Sequence, residues 1–165
     1  MGRIKLYEEV IAAGEDGRHR PDALKELDQL KRLLDEKLGL GLREVDERIR
    51  QPGANREFGL VLGVLKEARD RWATRDWTKA IDERIRNAEK QAQESYAAVK
   101  NQALEAFRAG RMQEVAEHRA QITRWSLPVL LEDLDAALSS AKASADREKT
   151  LASSREPTLF ASGWR

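Results

Sequence analysis

The residues best equipped for chemistry in this chain are few and badly placed for it. Its two histidines, His19 and His118, stand about a hundred positions apart, and there is no cysteine. That excludes a site built on three imidazoles, thiolate metal ligation and a cysteine nucleophile. Ferritin-like bundles hold paired metals through Glu-x-x-His pairs on facing helices. The nearest set here, Glu114 and Glu117 beside His118, has the wrong spacing. His118 lies in the charged helical stretch Val115-Ala116-Glu117-His118-Arg119 and reads as a surface histidine. Gly39-Leu40-Gly41 lacks the remaining glycines and the preceding strand of a phosphate-cradling loop. Asp82-Glu83 and Glu132-Asp133 sit near helix beginnings, where exposed backbone amides favour negative charge. No catalytic residue, cofactor or metal is expected, and the chain reads as a non-enzyme.

A second constellation is basic and aromatic. Lys66, Arg69, Arg71, Arg75, Lys79, Arg84 and Arg86 surround Trp72 and Trp77. Arginine holds phosphate bidentately and tryptophan stacks on bases, so Arg69, Arg71, Trp72, Arg75, Trp77 and Lys79 are the candidate nucleic-acid contacts. Against the seven cations stand Glu67, Asp70, Asp76, Asp82 and Glu83, an excess of two. A duplex-binding footprint concentrates charge on one face. The competing reading makes the tryptophans anchors of a helix corner, solvated by intrahelical ion pairs.

The elements that must position these groups are helical throughout. Ile4, Tyr7, Val10 and Ile11 form a short amphipathic face ended by Gly14-Glu15-Asp16-Gly17. After Pro21, leucines at 24, 27, 30, 33/34 and 38 mark a second helix, with Gly39 at its predicted C-cap. Leu42, Val45 and Ile49 suggest a short third helix closed by Pro52-Gly53. A fourth, capped by Asn55, carries Phe58, Val61, Leu62, Leu65 and Trp72 and is apolar almost all round in its first half. Its Gly59 and Gly63 offer close backbone approach or simple tolerance of crowding.

The strongest pattern is Ile81, Ile85, Ala88, Ala92, Tyr96, Val99, Ala103 and Phe107, a seam at alternating spacings of three and four from Thr78 to Ala109. It predicts a helix of ~48 Å at 1.5 Å per residue. Its small residues bury little alone, so the seam is expected to bind a partner helix, from this chain or another. Gly110 breaks the pattern. A sixth helix runs from Met112 to Trp125, and Ser126-Leu127-Pro128 starts a seventh.

The fold expected is all-α: an elongated bundle of about six or seven helices over residues 1–143, around one long central helix. From Ser144 the composition turns to Ser, Ala and charge, so 144–165 reads as a flexible tail. Its Leu159, Phe160 and Trp164 are candidate docking groups, on their own body or on a partner.

Bulk properties agree. In 165 residues, 30 Lys or Arg nearly cancel 29 Asp or Glu, so net charge demands no polyanion. The N-terminal residues turn polar too soon for a secretory signal, and the longest uncharged apolar run, Phe58 to Leu65, is too short for a bilayer span. The expected location is the cytoplasm of a host cell, or a virion. No small-molecule substrate is evident.

Residues 104–151 carry a further hint. Leu104-Glu105-Ala106-Phe107-Arg108-Ala109-Gly110-Arg111-Met112 leads into Arg124-Trp125-Ser126-Leu127-Pro128-Val129, then a helix from Glu132 and the stretch Asp146-Arg147-Glu148-Lys149. This order resembles helical segments of the internal or ejected virion proteins of tailed phages. The resemblance implies a phage-related helical component and carries no catalytic residue. The function expected is a structural or interaction protein that assembles with itself or another protein; the alternative is a nucleic-acid-binding accessory protein using 66–86.

Overall fold

The structure is a computed structural model and describes residues 2–13 and 20–153. Six helices and no strand occur among the described residues: α1 (Gly2–Ala13), α2 (Arg20–Ala54), α3 (Phe58–Arg71), α4 (Arg75–Arg108), α5 (Met112–Arg124) and α6 (Pro128–Ser153). The all-α bundle is therefore found, with α4 as its long central helix.

The count is six because the second and third expected helices are one. Gly39 does not cap anything; α2 continues through it for another fifteen residues. A glycine inside a helix costs about 1 kcal/mol against alanine. Here the stripe of Leu38, Leu42, Val45 and Ile49 keeps packing across it and outweighs that cost. Pro52 lies inside the last turn, and the stop comes two residues later. The amide of Glu57 donates to Pro52 and that of Arg56 to Gly53, with Arg56 left-handed at φ 60°. This pairing satisfies the terminal carbonyls. Asn55 is thus part of the turn and not the cap of α3, which starts at Phe58. At the other long helix, the Thr74 hydroxyl accepts from the amide of Trp77, so α4 begins three residues before the expected Thr78.

Two cores share α4. The first joins Val45 of α2 and Val61, Leu62, Leu65 and Ala68 of α3 to Trp77, Ile81 and Ala88. The second joins Ala92, Tyr96, Val99 and Ala103 to Phe58 of α3, Ile122 and Trp125 of α5 and Leu130 and Leu134 of α6. The first is a three-helix arrangement and the second takes in four, and α4 is ~51 Å long at 1.5 Å per residue.

Both α3 and α5 join α4 through tight turns and run back along it, one from each end. They meet at its middle. The Gly59 amide, second in α3, donates to the carbonyl of Trp125 at the end of α5, 2.8 Å away. Each group belongs to the set a helix terminus leaves unpaired. The partial positive end of one helix thus faces the partial negative end of the other. Phe58 and Trp125 pack edge to face above the junction, centroids 5.4 Å apart, and Leu127 touches both cores.

Ser126 was expected to cap α6 and does something else. It takes a left-handed conformation, φ 56°, that closes α5, and α6 starts two residues later at Pro128. α6 also crosses the expected boundary at 143 and stays helical to Ser153. The candidate docking residues Leu159, Phe160 and Trp164 lie outside the described residues, as does His19.

Candidate interaction surfaces

The seam on α4 is occupied by the chain itself. Ile81, Ala88, Ala92, Tyr96, Val99 and Ala103 are buried among α2, α3, α5 and α6, and Ile85 and Phe107 are half-buried. Its alanines do what small residues allow, drawing neighbouring helices close, but within one molecule. The seam is a core and not a surface awaiting a partner.

The basic-aromatic constellation is likewise taken apart. Trp77 is fully buried, and its indole N–H donates to the carbonyl of Ala68 at 2.7 Å. Trp72 leans on it with centroids 4.5 Å apart, and the Arg71 guanidinium lies 5.5 Å over the Trp72 ring. Arg71 reaches Glu44 at 2.9 Å, and Arg69 reaches Asp82 at 2.7 Å. Arg84 holds both carboxylate oxygens of Asp46, at 2.7 and 2.8 Å, which pulls the Asp46 carboxyl below its usual range. The tryptophans anchor the α3–α4 corner, and three of the arginines tie α4 and α3 to their neighbours. Arg75, Lys79 and Arg86 lie along a shallow groove with Thr78 and Asp82.

Gly41 explains how α2 passes this corner. A β-carbon there would stand 2.7 Å from two atoms of the Trp72 ring. Its absence lets the helix lie directly on the tryptophan pair, a close approach that the reading of Gly39 as a helix end does not contain.

A polar latch went unread in the sequence. Tyr96 donates its hydroxyl to Asp133, and the Lys100 ammonium donates to the same carboxylate at 2.6 Å. Burial, then this contact, raises the Tyr96 pKa, while Lys100 and then Tyr96 lower that of Asp133. The three groups lock α4 to α6. No charged or polar residue is buried among the described residues. Nor does any described group of His, Asp and Glu have the arrangement of a metal site. No described helix is long and apolar enough to cross a membrane.

The surfaces that remain open lie where helices outrun their neighbours. The Arg84–Asp46 contact brings the start of α4 level with Lys37, so the part of α2 before Lys37 projects beyond the first core. Only α1 covers it among the described helices. Lys31 pairs with Glu8 at 3.4 Å and Tyr7 donates to Glu26, yet Leu27 is the one buried hydrophobic side chain there among those described. Leu24, Leu33 and Leu34 are exposed, Leu33 by 54%, and so is Leu6 on α1. Where this projection meets the body, Leu34, Leu38 and Trp72 line a groove of about 420 Å³.

At the opposite end, the Tyr96–Asp133 contact sets Arg108 level with Ala145, and the last two turns of α6 project past α4 and α5. A wide groove opens between them.

No protein family, curated protein or solved structure matches the chain significantly.

Proposed function

We propose that the chain is a non-enzymatic assembly component that works through helix faces, binding a protein partner or a second copy of itself. The observation that carries this reading is the α1–α2 projection. Both cores are closed by three or more helices; here two helices leave Leu24, Leu33 and Leu34 in water. A pair of helices of this length is marginal without further burial. A third helix laid against it supplies what the rest of the fold already has. The most specific form of the reading, a phage virion or phage-related component, is supported by the likeness of residues 104–151 to such proteins.

The test is solution mass. Light scattering of the full chain across a wide concentration range should give a mass above 18.7 kDa. Replacing Leu24, Leu33 and Leu34 together by lysine should return it to the single chain, with helical content kept. A strict monomer whose melting temperature ignores the three lysines removes the reading.

A further inference from the structure

We propose that the groove at the α4–α5–α6 end is the seat of residues 154–165 of the same chain, filled by Leu159, Phe160 and Trp164. The groove holds about 1080 Å³. Its walls are unequal. On α4 and α5 they carry Leu104, Phe107 and Met112, the last 56% exposed. On α6 the inward stripe runs through Leu130, Leu134 and Leu138 and then shrinks to Ala141 and Ala145. A helix that steps from leucine to alanine opposite a phenylalanine leaves room for large side chains from elsewhere, and an interior of ordinary packing density would fill it.

The chain itself supplies such groups next. Residues 154–165 read Ser-Arg-Glu-Pro-Thr-Leu-Phe-Ala-Ser-Gly-Trp-Arg. Pro157 has no amide hydrogen to give to a helix ladder. Ala141 and Ala145 lie ~12–18 Å back along α6 from Ser153 at 1.5 Å per residue. Leu159 and Phe160 are six and seven residues past Ser153, a reach of up to ~20–24 Å at ~3.4 Å per residue. Trp164 reaches further, enough for Phe107 and Met112 across the groove. Tethering raises the effective concentration of this occupant over any free one, to the millimolar range for a short linker. The seat is independent of the α1–α2 projection and of any self-association through it.

The chain has no cysteine and two methionines, Met1 and Met112, which makes the experiment clean. The full chain is labelled at its methionine methyls with carbon-13 and given a nitroxide at Ser162→Cys. The Met112 signal should broaden strongly, and should recover when Ala145→Arg places a charge in the groove. In a mixture of labelled chains without nitroxide and unlabelled chains with it, the Met112 signal should stay sharp. No broadening in the first sample, or broadening that survives Ala145→Arg, overturns the proposal. Equal broadening in the mixture overturns it too, by assigning the groove to a second copy. Because the readout is a distance within one chain, a failed solution-mass test and a failed seat are told apart.

Discussion

A β-carbon on Gly59 would stand 2.2 Å from the carbonyl oxygen of Ser126, which makes this the tightest backbone approach of any described glycine. Gly63, one turn further along α3, has nothing within 4 Å of the same position. The two glycines look alike in the sequence and are opposites in the fold.

Gly59→Ala should therefore push the α5–α6 corner off α3 and cost about 2 kcal/mol or more, as overpacking does. Gly63→Ala should stabilise by roughly 0.5–1 kcal/mol, since an exposed helix interior prefers alanine. Urea unfolding of the two variants checks both signs at once. A stable Gly59→Ala chain would mean that the two half-length helices do not abut.

Ser126 and Arg56 hold left-handed backbone with a side chain attached, at φ 56° and 60°. Such a conformation costs an L-residue about 1–2 kcal/mol. Ser126→Gly and Arg56→Gly should each raise stability by roughly 0.5–1 kcal/mol, part of the relief being returned as unfolded-state entropy. Thermal melts read the gain directly.

Gly41→Ala is a different kind of clash, because the atoms met belong to the rings of Trp72 and, at 3.0 Å, Trp77 and not to backbone, and the half-buried Trp72 ring is the nearer one. The ring can turn away. The expected result is a changed near-ultraviolet circular dichroism and tryptophan emission, with a modest loss of stability. Unaltered spectra would place α2 further from the corner than the structure has it.

The chain should lose stability at both extremes of pH, through different groups. Asp46, Asp133 and Asp135 each titrate below their usual value, because Arg84, Lys100 and Arg119 respectively bond the ionised form. A lowered folded pKa stabilises above the unfolded pKa and is lost as pH falls through it, so the acid decline starts near ~pH 4. These pairs are largely exposed and screened by water, so each contributes little. Tyr96 has the opposite sign: its pKa is raised, so its contribution is full below ~pH 10 and drains above. Tyr96→Phe should flatten the alkaline limb and, by removing the weaker of the two bonds that lower the Asp133 pKa, soften the acid limb slightly. Asp46→Asn should soften the acid limb alone. Denaturant titrations at intervals of pH separate the two.

Much of the fold was legible because it rests on local rules. The three-and-four rhythm from Ile81 to Phe107 gave the long helix, and Gly110 marked its end by taking φ 75°. What failed were the boundaries that tertiary contact decides. Gly39 has the signature of a helix end, and the packing of Leu38, Leu42, Val45 and Ile49 into the first core keeps α2 going. Ser126 has the composition of an N-cap, yet the approach of α3 fixes it as the close of α5. The surfaces were read less well than the core. A seam of alanines looks the same whether its covering helix comes from this chain or another, and nothing local records that α3 and α5 share the task. The projection at Leu33 was hidden for the same reason: its exposure depends on where α4 begins, a quarter of the chain away.

Because a single uninterrupted α4 threads both cores, the two halves of the molecule cannot swing about a hinge as linked domains do. The distance between its ends is set by a count of residues at a fixed rise, which makes the chain a strut. Anything attached at the Leu33 end and anything attached at the Met112 end would be held apart, and held in a constant rotational phase, by the one helix on which α2 and α5 are both packed.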